Sequence, residues 1–297
     1  RYGNDWYVAT IVVASKEHYE RRIGIFPAFY KDGYAHAITE YMDFPFILPD
    51  KKIDFSQHNI SAGMNLLSYN KQMKASSSLG VHQAKMATDE DIRTWWSATS
   101  GKRGEWLQMD LSKPMELSAL QISFSDEGFK TYRHDKNVPV YQYIVEGSLN
   151  GTDWQLLADR SQNTKDQIYE LIVLGKKIKT QFVRIKNTKD FATGYFSIAD
   201  IRLFGNAKGK VPKQVSNFIV ERNKDRRRIA FTWDKQPTAE GYVIRWGASP
   251  EHIDNAIMVY DNQAEFGFFD RDIAYYMTIE AFNESGKSKS STPIKIN

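Results

Sequence analysis

The sequence predicts an all-β protein, and three observations carry that reading. Short runs rich in β-branched and aromatic residues recur at 140–147, 167–173, 182–186, 229–233, 242–246 and 275–282, with Gly, Pro, Asn and Asp turns between them. No segment holds an extended apolar stripe at the 3.6-residue helical period, so few helices are expected. The strand signals follow one another without helical patterns between them, as in sandwiches and barrels.

The chain has 297 residues, enough for two or three domains of about 100–150 residues. Its 40 basic and 36 acidic residues leave a formal charge of +4, too small an excess to demand a polyanionic partner. The positive residues are scattered among acids and form no basic stripe interleaved with aromatics, so nucleic-acid binding is not expected. There is no cysteine, which excludes disulfides and thiolate metal sites. No run approaches the roughly eighteen apolar residues of a membrane span, and no signal-peptide pattern opens the chain. The first residue is Arg1 and a strand signal starts at Trp6, so the chain reads as a piece of something longer.

Two seams divide it. Residues 44–53 are proline-marked and lead into polar sequence, and 206–212 form a short Gly/Pro/Lys connector. The expected units are 1–50, 51–206 and 207–297. The Asp-Gly at 32–33, between apolar runs, predicts a hairpin in the first of these.

The middle unit carries the densest chemistry. Asp89, Glu90 and Asp91, followed by Thr94, crowd oxygen donors into one turn-rich segment, which suits a hard cation such as calcium. Trp95 and Trp96 follow at once and suit either stacking on a flat ligand or packing beneath a barrel. Ala75-Ser-Ser-Ser-Leu79, then Ala87-Thr-Asp-Glu-Asp91 with Thr94 and Trp96, Glu105-Trp-Leu-Gln-Met-Asp-Leu111 and Ala199-Asp-Ile-Arg-Leu-Phe-Gly205 stand in this order. Together they resemble the discoidin, or factor V/VIII C-type, domain, whose sugar-binding members form carbohydrate-binding module family 32. The resemblance spans 61–206 and implies a discoidin-type jelly-roll β-sandwich. Glu90 stands where the family often has Gly, so a left-handed turn there would fall on a non-glycine residue.

The resemblance also implies a structural calcium held by Asp89, Asp91, Thr94 and Asp200. The last acid is usually Glu. The shorter Asp200 sets its carboxylate back by about 1.5 Å, leaving direct ligation, ligation through water, or none. The other reading is an acid-rich loop satisfied by backbone N–H groups.

Residues 125–139 make a long connection for a compact β domain, and such loops are usually functional. Phe129, Tyr132, Arg133 and His134 supply flat faces and hydrogen-bond donors, the mixture that sugars require. In the resembled family ligand loops cluster at one end of the barrel, and Trp95 and Tyr195 would join from neighbouring loops. The competing reading is that these aromatics pack against another domain. Trp96, Trp106 and Trp154 flank strand starts and are assigned to the core.

Phe231-Thr-Trp233, Gly241-Tyr-Val-Ile-Arg-Trp-Gly247 and the run from Tyr275 to Gly286 resemble a fibronectin type III domain. There, Trp233 and Tyr276 match the family's core anchors. Arg226–Arg228 reads as a solvated hairpin turn with acids nearby. Trp6-Tyr7, Arg21-Arg22 and Asp32-Gly33 resemble the last blade of a glycoside hydrolase family 43 propeller, whose inverting carboxylates lie on earlier blades. Glu17, Glu20, Asp32 and Glu40 form no recommended catalytic pair, and no catalytic residue is assigned.

The resemblances imply a non-catalytic accessory region of a secreted or periplasmic bacterial glycosidase. It would bind carbohydrate weakly and contact a catalytic domain beyond this chain. The alternatives are a structural spacer that binds no sugar, and part of an active xylosidase or arabinofuranosidase-type enzyme.

Overall fold

The computed structural model describes residues 6–13, 21–31, 33–39, 44–45, 63–129 and 139–297. Two compact units emerge: Leu66–Lys208, and Arg1–Asn65 together with Gly209–Asn297. The seam expected near Asp50 and the acids Glu17, Glu20, Asp32 and Glu40 lie outside the described residues.

Strands β1 (Trp6–Val13), β2 (Arg21–Lys31) and β3 (Tyr34–Ala37) form an antiparallel meander in the order β1-β2-β3. Gly33, at φ +81°, stands in the β2–β3 turn, a conformation glycine reaches without steric cost. Residues Phe26 to Phe29 are buried, whereas Ile23 and Ile25 face outward. Thr39, just past β3, grips the C-terminal sandwich of the same unit. Its N–H donates to the Asp254 carbonyl at 3.1 Å, and its hydroxyl accepts the Ala256 N–H at 2.7 Å.

The other unit is one 8-stranded arrangement. It contains β4 (Asn65–Leu66), β5 (Gln72–Ala75), β6 (Trp96–Ser97), β7 (Trp106–Phe124), β8 (Tyr143–Ser148), β9 (Trp154–Asp159), β10 (Tyr169–Asn187) and β11 (Ser197–Asn206). The main order is β4-β11-β7-β10-β8-β9, with β5 on β7 and β6 on β11. Among the described residues a single 3-10 turn, Ala84–Thr88, interrupts the strands.

Strand alternation builds the core. Leu107, Met109 and Leu111 point inward from β7, and Val183 and Ile185 from β10, to meet Trp96, Tyr141, Tyr143, Phe196 and Ile198. The sequence signals at 167–173 and 182–186 prove to be one strand of 19 residues, and β7 is equally long. Register shifts between Val173 and Ile178 and between Thr180 and Phe182 let the pair bend. Pro114 is tolerated because it falls in the gap of that ladder, beside Ser112 at φ +69°.

Glu105 holds the entry to β7. Its carboxylate accepts hydrogen bonds from Ser76, from Ser77 at 2.9 Å and from Ser100 at 2.6 Å. The serine run of the sequence motif is therefore a bracket around one acid. Of the three tryptophans assigned to the core, Trp96 is fully buried. Trp106 and Trp154 are only half-buried, which corrects that expectation. Trp154 instead lies under the Arg184 guanidinium, 3.9 Å from its ring centre.

The C-terminal sandwich holds β12 (Ile219–Arg222), β13 (Ile229–Thr232), β14 (Gly241–Gly247), β15 (Asn255–Val259), β16 (Gln263–Phe266), β17 (Tyr275–Asn283), β18 (Gly286–Lys287) and β19 (Ile294–Ile296). One sheet runs β12-β13-β16, the other β15-β14-β17-β18 with β19 also on β17. Trp233 is buried and meets Tyr242 edge-on at 5.1 Å. Tyr276 is not a core anchor. Met277, Ile279 and Ala281 face the core from β17, so period-two alternation sends Tyr276 to the other face, where Lys295 lies 5.9 Å from its ring centre. In the turn between β12 and β13, Arg227 pairs with Asp225 at 2.9 Å, and Arg228 donates to Glu265 at 2.6 Å.

Gly205 in β11 tests the packing of the middle unit. A Cβ there would overlap the Glu116 carbonyl on the paired strand. Gly205→Ala is expected to lower unfolding free energy by about 1–3 kcal/mol, measured by urea denaturation. An unchanged midpoint would contradict this close approach.

Candidate functional site

One end of the middle unit is organised by Asn187, the last residue of β10, which is fully buried. Its Nδ2 donates to the carbonyls of Gly101 at 3.2 Å, Lys102 at 2.9 Å and Lys189 at 2.8 Å. Its Oδ1 accepts the Lys189 N–H at 3.2 Å. One side chain therefore ties the 100–104 loop to the 188–195 loop. Gly101 is required here because a Cβ would collide with the Gly194 carbonyl and the Phe191 ring. The Arg103 N–H adds a bond to Asp190 Oδ1 at 2.8 Å.

The 125–129 segment joins the same rim. The Tyr195 N–H donates to the Glu127 carbonyl at 3.0 Å, and the Tyr141 hydroxyl donates to the Ser125 carbonyl at 2.7 Å and to Asp126 Oδ1 at 3.2 Å. Gly128 and Gly194 sit at φ +72° and +78°. The Tyr195 ring covers the place of a Gly128 Cβ, and the Phe129 ring that of a Gly194 Cβ. Two glycines thus seat two aromatics reciprocally. Burial and the Asp126 carboxylate push the Tyr141 hydroxyl well above the ordinary phenol range, so it stays a donor. Desolvation holds Asp126 above the usual carboxylate value, partly offset by that hydrogen bond.

The expected ligand residues separate on this frame. Phe129 is half-buried and packs edge-on against Phe191 at 5.2 Å and Tyr141 at 6.3 Å, so much of its surface serves the core. Tyr195 is half-buried beside it. Trp95 stands elsewhere. Trp96 pairs with Ile198 and Ser97 with Ser197, which puts Trp95 four residue steps, about 13 Å, from Tyr195 along the ladder. It stacks on His82 at 4.4 Å, and its buried Nε1 has no hydrogen-bond partner. Tyr132, Arg133 and His134 lie outside the described residues.

The acid loop lies at Trp95's end. Asp89 accepts the Thr94 hydroxyl at 2.8 Å and the Asp91 N–H at 3.0 Å, and desolvation raises its pKa. Asp91 accepts the Arg93 N–H and Nε, both at 3.1 Å, and Nη2 at 3.2 Å. Asp200 is buried with Oδ2 3.3 Å from Arg202 Nε. The fully enclosed Arg202 guanidinium forks onto both oxygens of Glu90, through Nε at 3.0 Å and through Nη2. Glu90 adopts φ +63°, the left-handed turn expected at that position.

These residues do not converge as a calcium cage. Asp89 and Thr94 meet, Asp91 is turned to Arg93, and Asp200 stands against Arg202. Among the described residues, no three acids here bring ligand oxygens within 4.8 Å of one another. Calcium needs six to eight oxygens around one point, and this donor set does not fit it as placed.

Residues 72–201 match the family model of the F5/8 type C domain. The middle of the chain is an F5/8 type C domain. No curated protein matches the chain. Among solved structures, chitosan-binding module 1 of a chitosanase/glucanase from Paenibacillus sp. IK-5 is 20% identical, with a TM-score of 0.39, over 48% of this chain and 99% of that one. The CpGH89CBM32-4 module of Clostridium perfringens, in complex with GlcNAc-α-1,4-galactose, is 21% identical, with a TM-score of 0.40, over 50% and 99%. The family 32 module of C. perfringens NanJ, in complex with galactose, is 18% identical, with a TM-score of 0.39, over 48% and 98%.

Sequence reasoning missed Asn187, Glu90 and Arg202 in the F5/8 type C domain. Only Glu90 left a signal, as an acid where a glycine was expected. Glu90→Ala is expected to cost about 3–5 kcal/mol, because it leaves the Arg202 charge buried without its main partner. Arg93→Ala, which breaks a partly exposed pair, should cost no more than about 1 kcal/mol. Denaturant titration of both variants checks the contrast, and equal small losses would contradict it.

Proposed function

We propose that this chain is a non-catalytic accessory region of a carbohydrate-active enzyme, and that its F5/8 type C domain binds sugar at the rim organised by Asn187. The observation that supports this reading most is the reciprocal seating of Tyr195 and Phe129 on Gly128 and Gly194. A ring held in place before binding loses little entropy on contact with a sugar face. Tyr195 is the stacking residue in this reading, Phe129 holds its place on Gly194 of the same loop, and Tyr132, Arg133 and His134 would supply further contacts from the 125–139 loop. Trp95 is left out, because its distance from Tyr195 exceeds one sugar ring.

The C-terminal strand order β12-β13-β16 facing β15-β14-β17-β19 supports the fibronectin type III reading. The antiparallel β1-β2-β3 meander among the described residues is compatible with part of a four-stranded propeller blade and supports that kinship to this extent. On this account catalytic carboxylates belong to a partner domain of the same secreted or periplasmic protein. The module then raises the effective concentration of that domain on its polysaccharide. The half-buried packing of Phe129 also favours a second reading, a spacer that binds no sugar.

A glycan array with the whole chain separates the two. Binding should fall about tenfold, the equivalent of about 1.4 kcal/mol, in a Tyr132→Ala, Tyr195→Ala variant of unchanged circular dichroism. Absence of binding across plant and host glycans would favour the spacer.

We also propose that Arg202, rather than calcium, clamps the acid loop. After the chain has been stripped with EDTA, added calcium should leave its melting temperature unchanged. A rise on adding calcium would overturn this.

A further inference from the structure

We propose that His36, His252 and Asp254 form a divalent metal site of zinc type in the unit that contains the N-terminal meander and the C-terminal sandwich. His36 Nδ1 lies 3.4 Å and His252 Nδ1 3.5 Å from Asp254 Oδ2. One ligand atom from each residue falls within 4.8 Å of the others, the one such group among the described residues. Nitrogen and oxygen ligands at about 2.0–2.1 Å from a tetrahedral zinc stand about 3.3–3.4 Å apart, so the two observed distances approximate the edges of that tetrahedron.

The same oxygen supplies a second observation. Asp254 Oδ2 is buried and has no hydrogen-bond partner, although two imidazoles flank it. A buried carboxylate oxygen left in this state is costly, and a cation between the three groups removes the cost. The donor set is two nitrogens and one carboxylate oxygen. Imidazole favours zinc, copper or nickel over calcium, which takes oxygen ligands.

The surroundings fix the ligands in advance. Phe29, paired with His36 across β2 and β3, stacks on that imidazole at 4.8 Å with 5° between planes, and its ring is 6.1 Å from His252. The two imidazole centres are 4.8 Å apart. Thr39 locks the backbone at Asp254 and Ala256, three residues beyond His36. Gly247 allows the His252 carbonyl to approach, since a Cβ there would overlap it. The ligand side chains keep 18–22% of their surface exposed, which leaves room for water as a fourth ligand.

An ion here would join β3 to the approach to β15, two segments more than 200 positions apart in the chain. Metal that binds the folded unit and not the open chain stabilises the docking of the meander on the sandwich. The role is a staple, independent of sugar binding at the other unit.

The test uses the untagged whole chain, stripped with EDTA and titrated with Zn2+ in a calorimeter and a thermal melt. One equivalent should bind and raise the melting temperature. Co2+ should give the intense visible absorption of a four-coordinate ion. His252→Gln and Asp254→Asn should weaken binding about tenfold or more while near-ultraviolet circular dichroism is retained. His82→Gln, on the other unit, should bind as wild type does. Failure of wild type to bind Zn2+ would overturn the proposal. So would unchanged binding in a His36→Gln, His252→Gln double variant, or an equal response to Ca2+.

Discussion

The buried amide of Asn187 is the constraint on which the loop rim of the F5/8 type C domain depends. A β-sandwich leaves its loop carbonyls without ladder partners, and loops that carry ligands must still hold one shape. Asn187 resolves this by serving three carbonyls from two loops with one side chain. Once 100–104 and 188–195 are joined, Gly194 is fixed, Phe129 has a seat, and Tyr195 has its own on Gly128. Each step uses a small residue where a ring must approach backbone. The rim is therefore a consequence of the core, built at the end of its longest strand pair.

Away from that rim, the acid loop is held by charge. Arg202, Glu90 and Asp200 form a buried cluster in which one guanidinium faces two carboxylates. A buried cation with forked hydrogen bonds to a carboxylate is geometrically demanding, which makes it a specific lock for a loop. It also accounts for a non-glycine residue in a left-handed turn. Glu90 bears that backbone cost because its side chain is needed by Arg202, and the cost of a residue outside the common regions is of order 1–3 kcal/mol.

The β architecture was legible in the sequence because period-two alternation and turn residues are local signals. The runs at 229–233, 242–246 and 275–282 lie on strands, and the four separated motifs mark a real frame: Ser76 and Ser77 bracket Glu105, and Trp96 fills the core. What was illegible depends on partners distant in the chain. That 167–173 and 182–186 are one strand follows from a bulge opposite Pro114, which no local pattern displays. Tyr276 was misplaced because an aromatic at the right offset was weighed above strand parity. Trp95 was grouped with Tyr195 through the family resemblance, and only the register of β6 on β11 separates them. Asn187, Arg202 and the His36–His252–Asp254 group had no sequence signal as a set, since each is assembled by the fold.

Sugar, on the reading proposed above, is received at the Asn187 rim and at no other face of the F5/8 type C domain. Amide chemical-shift mapping of the isotope-labelled chain during titration with a bound oligosaccharide tests it most directly. Shifts should concentrate in 100–104, 125–139 and 188–195. Shifts centred on the outward face of β10, where Tyr169, Leu171 and Val173 are exposed, or around Trp95 and His82, would contradict it.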